Sequence, residues 1–574
     1  MPGGGPKAKM KISGVIAQIL TGASLGLLGM MAARAQAPVD LLWLNGTTYT
    51  GEPASLRVEA VAVRDGRIVF AGARADAEKF RAGARRVLDL AGRTVLPGLT
   101  DAHLHLAGVG FRELSFNLEG TTGIADLQAR LRARVAEAGP KKWIEGRGWI
   151  ETAWRPAVFP TAADLDAAAP DNPVVLTRAD GHGLVANSVA LKLAGVDRTT
   201  PSPSGGEILH EAKSGEPTGM LIDQAMQLVR RLVPAATDAE TERALITGAQ
   251  RELALGWCQV HSAGNSMAEA RLMQRLVATG KIQLRIYDAV SGPGPAAEEL
   301  LQRGVVIDAT DGRFTLRGIK LYMDGALGSR GAALLAPYAD YASSGLVMQT
   351  EAGLLPLLVA ALRQGVQVAT HAIGDRGNRL TLDVYEKALA LVPPAERRVR
   401  EPRWRIEHAQ VLAAADVPRF ARLGVIASMQ ASHAIGDLFF APSRLGRERL
   451  AGAYAWRSLL DTGAVLAGGS DAPVERGEPM IEFYAAVARR SLDGFANEDW
   501  HREQRLSREE ALRMLTLAPA YAAFVEQEAG SIAVGKRADF TVLSADIMQI
   551  AEPEILQTRC VMTIVGGQIV FEAR

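Results

Sequence analysis

Cysteine is nearly absent from this chain. Cys258 and Cys560 are the only two among 574 residues, too few and too far apart for a disulfide framework or a Cys-rich metal site. Cys258 lies in an apolar, strand-like run, where a buried free thiol is the ordinary outcome. Neither sign of charge dominates. Lys+Arg 64 against Asp+Glu 63 leaves a net charge of +1, which gives no reason to expect nucleic acid or an acidic partner. Aromatic residues are sparse at 5%, yet hydrophobic content is 48%. That composition belongs to a globular protein and excludes a disordered or fibrous one. No internal repeat is apparent. The length allows a large core and more than one domain, although α/β barrels often exceed the usual domain size.

One apolar run stands apart. Lys7, Lys9 and Lys11 precede a mostly apolar stretch from Ile12 to Ala33, followed by the small-x-small sites Ala33-Arg34-Ala35 and Ala35-Gln36-Ala37. Basic, then apolar, then small residues predicts a secretory signal peptide over residues 1–35 and a periplasmic or secreted protein. The alternative is an uncleaved membrane anchor, since the run is nearly long enough to span a bilayer. Gly and Ser dilute it, and no cysteine marks a lipoprotein boundary. With the signal cleaved, no stable membrane association is expected.

Beyond the leader, Val58–Phe70 reads as two alternating β-runs around Asp65-Gly66, and Val561–Phe571 repeats the pattern around Gly566-Gly567. Both are two-residue hairpin signals. Isolated hairpins are marginal in water, so the two ends, 36–95 and 529–574, are expected to join in one composite β-sandwich domain. Between them, strand-like runs alternate with helical ones, the pattern of βα units on a parallel sheet. The candidate strands are Leu96–His103, Trp257–His261, Gln283–Tyr287, Phe314–Leu321, Val366–His371, Arg403–His408, Val425–Met429 and Ala464–Ser470. They predict an α/β fold, a (β/α)8 TIM-like barrel over 96–528, with an open doubly wound sheet as the alternative. About a hundred and fifty residues separate the first candidate strand from Trp257. That is too many for one crossover, so 110–245 is read as a large insertion after the first strand. Ser507 and Glu510, in capping-box spacing, open what reads as a last barrel helix, Ser507–Phe524.

The chemistry gathers at the strand ends. Thr94–Ala107 (TVLPGLTDAHLHLA) ends in His103-Leu104-His105. Alternate residues of a strand point the same way, so the two imidazoles could share one metal ion. Alone, a His-x-His pair is weak evidence. However, Lys320, His371, His408 and Asp471 also fall at candidate strand ends, and in a parallel barrel all these ends converge on one face. Four imidazoles, an amine and a carboxylate make a costly cluster unless a cation binds the acceptors.

Several motifs occur in that order: PGLTDAHLHL, PDNPVVLTRADGHGLVANSVAL, GIKLYMDGALGSRGAAL, THAIGDRGN, RIEHAQ and GSDAPVE, closing with Gly530-Ser531-Ile532 and Gly535-Lys536-Arg537-Ala538-Asp539. From about residue 40 onward the chain resembles the amidohydrolase superfamily, in its YtcJ-like (amidohydrolase 3) branch, which includes N-substituted formamide deformylase. The resemblance implies that His103, His105 and Asp471 bind a buried metal and that His371 and His408 bind a more exposed one. It further implies that Lys320 bridges them as a carbamate. A lysine ammonium would repel both cations, whereas its neutral amine can become an anionic oxygen ligand. Zinc suits the histidine-rich donor set, with Mn, Co or Fe as alternatives. With two Zn2+ ions the centre is binuclear. With one, Lys320 stays an amine contacting substrate.

The implied reaction is hydrolysis of a non-peptide C–N bond in a small amide or formamide, with Asp471 as general base and then general acid. An ester, lactone or cyclic-amide hydrolase on the same centre is the alternative, and a non-catalytic binding protein the remote one. The resemblance implies a pocket-lining role for His182, with a hydrogen-bonded loop histidine as the alternative. Asp324 and Arg330 would orient substrate or else form a structural loop ion pair. His261 reads as a packed neighbour, and His210, His433 and His501 as non-catalytic. Trp143, Trp149 and Trp154 read as packing within the insertion, with contact to an apolar substrate the alternative. The oligomeric state is left open, a homodimer included.

Overall fold

Eight parallel strands stand at the centre of the structure: β1 (Leu99–Leu104), β2 (Trp257–Asn265), β3 (Arg285–Ser291), β4 (Phe314–Tyr322), β5 (Gln367–Ala372), β6 (Arg405–His408), β7 (Ile426–Gln430) and β8 (Leu466–Gly469). Each pairs in parallel with the next. The structure, a computed structural model, describes residues 38–52, 56–151, 154–179, 181, 183–203, 206–308 and 311–573. The expected signal peptide and His182 lie outside the described residues.

The seam between β1 and β8 carries no ladder, yet it is tied. The Asp471 N–H donates to the His103 carbonyl at 2.7 Å. The Ser470 N–H and hydroxyl donate to the two oxygens of Asp101 at 2.9 and 2.6 Å. Gly469 permits this approach, because a Cβ there would lie 2.4 Å from the His103 nitrogen. The result is a nearly closed eight-strand parallel barrel, as the alternation of β- and α-patterns predicts.

The connecting helices bury one face each against the strands. Met267–Ala278 starts at a capping box formed by Ser266 and Glu269 and buries Met267, Ala270, Leu272, Met273, Leu276 and Val277. Each such large side chain contributes on the order of 1.5–3 kcal/mol when fully buried. Two expected boundaries differ. Ser507–Phe524 is two helices, Arg508–Met514 and Leu517–Ala522. Pro519 cannot donate a backbone hydrogen bond, and its ring would clash with the carbonyl four residues back, so the helix restarts after Leu515-Thr516. Leu96–His103 also divides. Thr94–Pro97 pairs antiparallel with Phe540–Leu543, and β1 begins after Gly98, whose N–H donates to the Asp539 carbonyl at 2.8 Å.

Two further sheets are built from the chain ends, the first from N-terminal strands alone and the second from strands of both ends. One has four strands, including the hairpin Ala60–Arg64/Arg67–Gly72. The other has six, including Phe540–Leu543 and the hairpin Cys560–Val565/Gln568–Glu572. Both hairpin turns take positive φ at each central residue, Asp65 and Gly66 in one and Gly566 and Gly567 in the other, the geometry that matches strand twist. Side chains from both sheets share one apolar cluster, where Trp43 meets the edge of Phe540 at 4.5 Å.

Between β1 and β2 a separate six-stranded sheet runs from Phe116–Asn117 to Pro217–Asp223. Trp149 and Trp154 are buried beside it, 6.0 Å apart. Their indole N–H groups donate to the Leu176 and Thr121 carbonyls at 2.8 and 2.7 Å. They pack this segment's core, and Trp143 lies partly buried against a neighbouring apolar cluster.

Candidate metal centre

The strand ends bring the six expected side chains together at one face of the barrel. His103 lies on β1, and His105 follows at the start of helix Leu106–Leu114. Lys320 is on β4, His371 on β5 and His408 at the end of β6. His408 and Asp471 have φ of +74° and +60°, a sparsely populated backbone state for residues other than glycine and one concentrated at functional sites. The left-handed turn ends each strand and re-aims the side chain. Asp471 Oδ1 lies 3.3 Å from His105 Nε2 and 3.6 Å from His103 Nε2. Lys320 Nζ is 3.3 Å from His103 Nε2. The rings of His103 and His408 are 5.0 Å apart, and those of His371 and His408 are 4.5 Å apart.

The outer nitrogens of three rings are already committed. His103 Nδ1 meets the Glu407 carboxylate at 2.5 Å, His105 Nδ1 the Ala263 carbonyl at 2.9 Å and His408 Nδ1 the Gln430 Oε1 at 2.8 Å. Each partner is an acceptor, so each Nδ1 holds the proton and each Nε2 lone pair is left for the centre. His371 is reversed: its Nε2 lies 3.5 Å from the Gly325 carbonyl and 3.7 Å from Asp324 Oδ1, which leaves Nδ1 as its available lone pair. Asp471 Oδ1 is buried with no hydrogen-bond partner. The ligand atoms of His103, His105 and Asp471 lie within 4.8 Å of one another. Outer nitrogens tied to acceptors, inner lone pairs converging and an orphaned carboxylate oxygen fit a divalent metal.

Residues 86–571 match the amidohydrolase family. The chain belongs to that family. The Bacillus subtilis protein YtcJ is 32% identical over 539 residues, covering 92% of this chain and 99% of its own. N-substituted formamide deformylase of Arthrobacter pascens is 30% identical over 552 residues, covering 93% and 98%. Among solved structures, an uncharacterized metal-dependent hydrolase of Pyrococcus horikoshii has a TM-score of 0.74 at 27% identity, over 89% of this chain and 99% of that one.

The electrostatics of this amidohydrolase keep His103, His371, His408 and Asp471 unprotonated. Burial, then the Lys320 ammonium, draws His103 down to about 4 and His371 down to about 3. Burial also lowers Lys320 to about 8, against the pull of Glu407 and Asp471. Burial would raise Asp471, but His105, His103 and His433 beside it hold its carboxyl well below the usual range. Glu407 is likewise buried and still held low, by Arg405 and His103.

The other expected residues lie outside this donor set, Asp324 at its border beside His371. Asp324 is buried, and its carboxylate accepts N–H bonds from Ala333, Ile373 and Gly374 at 2.8, 2.9 and 2.8 Å. It ties the loop after β4 to the end of β5. Arg330 pairs with Asp340 at 2.9 Å in that loop. His261 packs in the barrel, its Nδ1 accepting from Arg405 Nη1 at 2.9 Å. Two residues at the site, Glu407 and Gln430, carry no role in the sequence reading, and a third, His433, reads there as non-catalytic yet lies beside the cluster. Glu407 and Gln430 orient His103 and His408. His433, on helix Ala431–Asp437, stacks on His408 at 5.8 Å. Glu407 had a visible signal, a charge inside an apolar strand next to His408. His433 lies past the strand end and had none.

Proposed function

We propose that this amidohydrolase cleaves a non-peptide C–N bond of a small amide, of the N-formyl or N-acyl class. The observation that carries the reading is the convergence of His103, His105, Lys320, His371, His408 and Asp471, with the inner nitrogens of the rings turned to one centre. The kinship to N-substituted formamide deformylase supports the bond type. His103, His105 and Asp471 would hold one zinc ion, His371 and His408 a second, and Lys320 would join them as its carbamate. Metal bound there supplies Lewis-acid polarisation of the scissile carbonyl and brings water's pKa toward neutrality.

The chain's own groups do the rest. Asp471, held in its charged form, accepts the proton of the attacking water and returns it to the leaving nitrogen. Glu407 fixes the His103 tautomer, and Gln430 that of His408. The placement of Asp324 and Arg330 supports loop positioning for both, and His182 is proposed to line the substrate pocket. The barrel spans 96–528. The two end sheets act as one composite β-sandwich (36–95 and 529–574), with 110–245 covering the barrel mouth. Residues 1–35 direct export to the periplasm or beyond.

A matched panel of amides, esters, lactones and cyclic amides tests the bond type. Amide turnover should dominate, and preferential ester or lactone turnover would replace this reading with the alternative. Asp471→Asn should lower kcat on the order of 10²- to 10⁴-fold while metal remains bound. Undiminished turnover in that variant removes the acid/base role.

A further inference from the structure

His408, His433 and Asp471 present ligand atoms within 4.8 Å of one another, so proximity alone would make His433 a metal ligand. The hydrogen bonds argue otherwise. We infer that His433 is a hydrogen-bond donor that steadies the carboxylate of Asp471, a positioning residue rather than a ligand; the inference rests on the metal-centre reading above.

The partner of each outer nitrogen decides the point. Nδ1 of His103, His105 and His408 faces an acceptor, which puts the proton outside and the lone pair inside. His433 Nδ1 instead lies 3.0 Å from the side-chain nitrogen of Gln410. A carboxamide nitrogen can only donate, so this Nδ1 accepts, and the neutral ring carries its proton on Nε2.

The surroundings of Nε2 agree with that tautomer. It is buried and has no hydrogen-bond partner. Asp471 Oδ2 lies 3.6 Å away and Glu475 Oε1 3.8 Å away. The Asp471 carboxylate, held in its charged form, only accepts, so an N–H pointing at it is attracted where a lone pair would be repelled. A small movement of Asp471 would close the 3.6 Å separation to a hydrogen bond, as catalytic hydrogen bonds often tighten only in the working complex. His433 therefore holds Oδ2 from one side while Oδ1 faces His103 and His105.

The test uses the full chain with zinc or Co2+ as the probe. His433→Gln and His433→Leu should bind zinc within about threefold of wild type and leave the visible spectrum of the Co2+-substituted protein unchanged. His408→Gln should lose affinity by more than about 100-fold, beyond the range for partners outside the ligand set. On the amide that wild type turns over best, His433→Leu should lower kcat on the order of 10- to 100-fold with little change in KM. His433→Gln, which keeps an N–H near the Nε2 position, should recover part of that loss. Gln410→Glu offers Nδ1 an acceptor, reverses the tautomer and should lower kcat like His433→Leu while sparing zinc.

The tautomer can also be read without metal or substrate. In [15N]histidine-labelled protein the signal missing from His433→Gln should be that of an Nε2–H ring. A zinc affinity or Co2+ spectrum altered in the His433 variants as in His408→Gln overturns the inference, and so does an Nδ1–H ring or a Gln410→Glu variant of full kcat. A wild-type chain that binds no transition metal would instead overturn the functional reading and leave the tautomer measurement to decide His433.

Discussion

Glu407→Gln isolates the charge that supports the site from beneath. Glu407 and Arg405 are both buried, with Arg405 Nε 2.7 Å from Glu407 Oε1. The remaining partners of Arg405 are neutral: the Ser428 hydroxyl at 2.7 Å, His261 Nδ1 at 2.9 Å and the Ala102 carbonyl. Removing one charge of a buried pair leaves the other uncompensated and costs about 3–5 kcal/mol. Urea unfolding of metal-free protein should read that loss. The same change weakens the acceptor that orients His103, so zinc affinity, measured against a chromophoric chelator, should fall by about 10- to 100-fold. The double variant Arg405→Met/Glu407→Leu separates the two effects. With both charges gone, most of the stability should return, because a well-packed apolar pair often replaces a buried ion pair without loss. Zinc affinity should stay low, since His103 Nδ1 still lacks its acceptor. A stability loss below about 1 kcal/mol in Glu407→Gln, or zinc affinity within about threefold of wild type, refutes the reasoning.

In metal-free protein the stability that His103 and His371 contribute should fade as pH falls from about 6.5. The buried carboxyls of Asp101, Asp288, Asp324 and Glu252, which burial raises, act in the opposite sense. His103 titrates near 4 and His371 near 3 in the fold, against about 6.5 in the unfolded chain. Between those values these two rings bind more protons in the unfolded state, so their contribution weakens with falling pH, by about 3 kcal/mol from His103 alone, and is constant above about 6.5. The difference in urea-unfolding free energy between wild type and His103→Asn isolates this: it should shrink by about 3 kcal/mol from pH 7 to pH 4, and a difference that stays constant contradicts it. Gly469→Ala places a Cβ 2.4 Å from the His103 nitrogen. It should cost about 1–3 kcal/mol and weaken zinc binding, and an unchanged unfolding midpoint would mean the seam between β1 and β8 is looser than described.

The barrel was legible because its strands are short apolar runs between helical segments, and the candidate ligands because they sit at the ends of those runs. What the sequence hid was set by contacts distant in the chain. The division of Leu96–His103 depends on Gly98 meeting Asp539. The direction of His408 and Asp471 depends on positive φ angles that only the packed barrel imposes. Asp324 is spent on three backbone N–H groups from its own loop and from the end of β5, a use that no spacing announces. His433 falls beyond β7 on a helix, where strand-end reasoning does not look, and its tautomer rests on Gln410, 23 residues away.

Diffraction at the zinc absorption edge from zinc-loaded crystals of the full chain tests the central claim most directly. Anomalous peaks should appear at the barrel mouth about 2.0–2.1 Å from His103 Nε2, His105 Nε2 and His408 Nε2, with none bonded to His433. Zinc-loaded crystals without an anomalous peak among these residues would contradict the account.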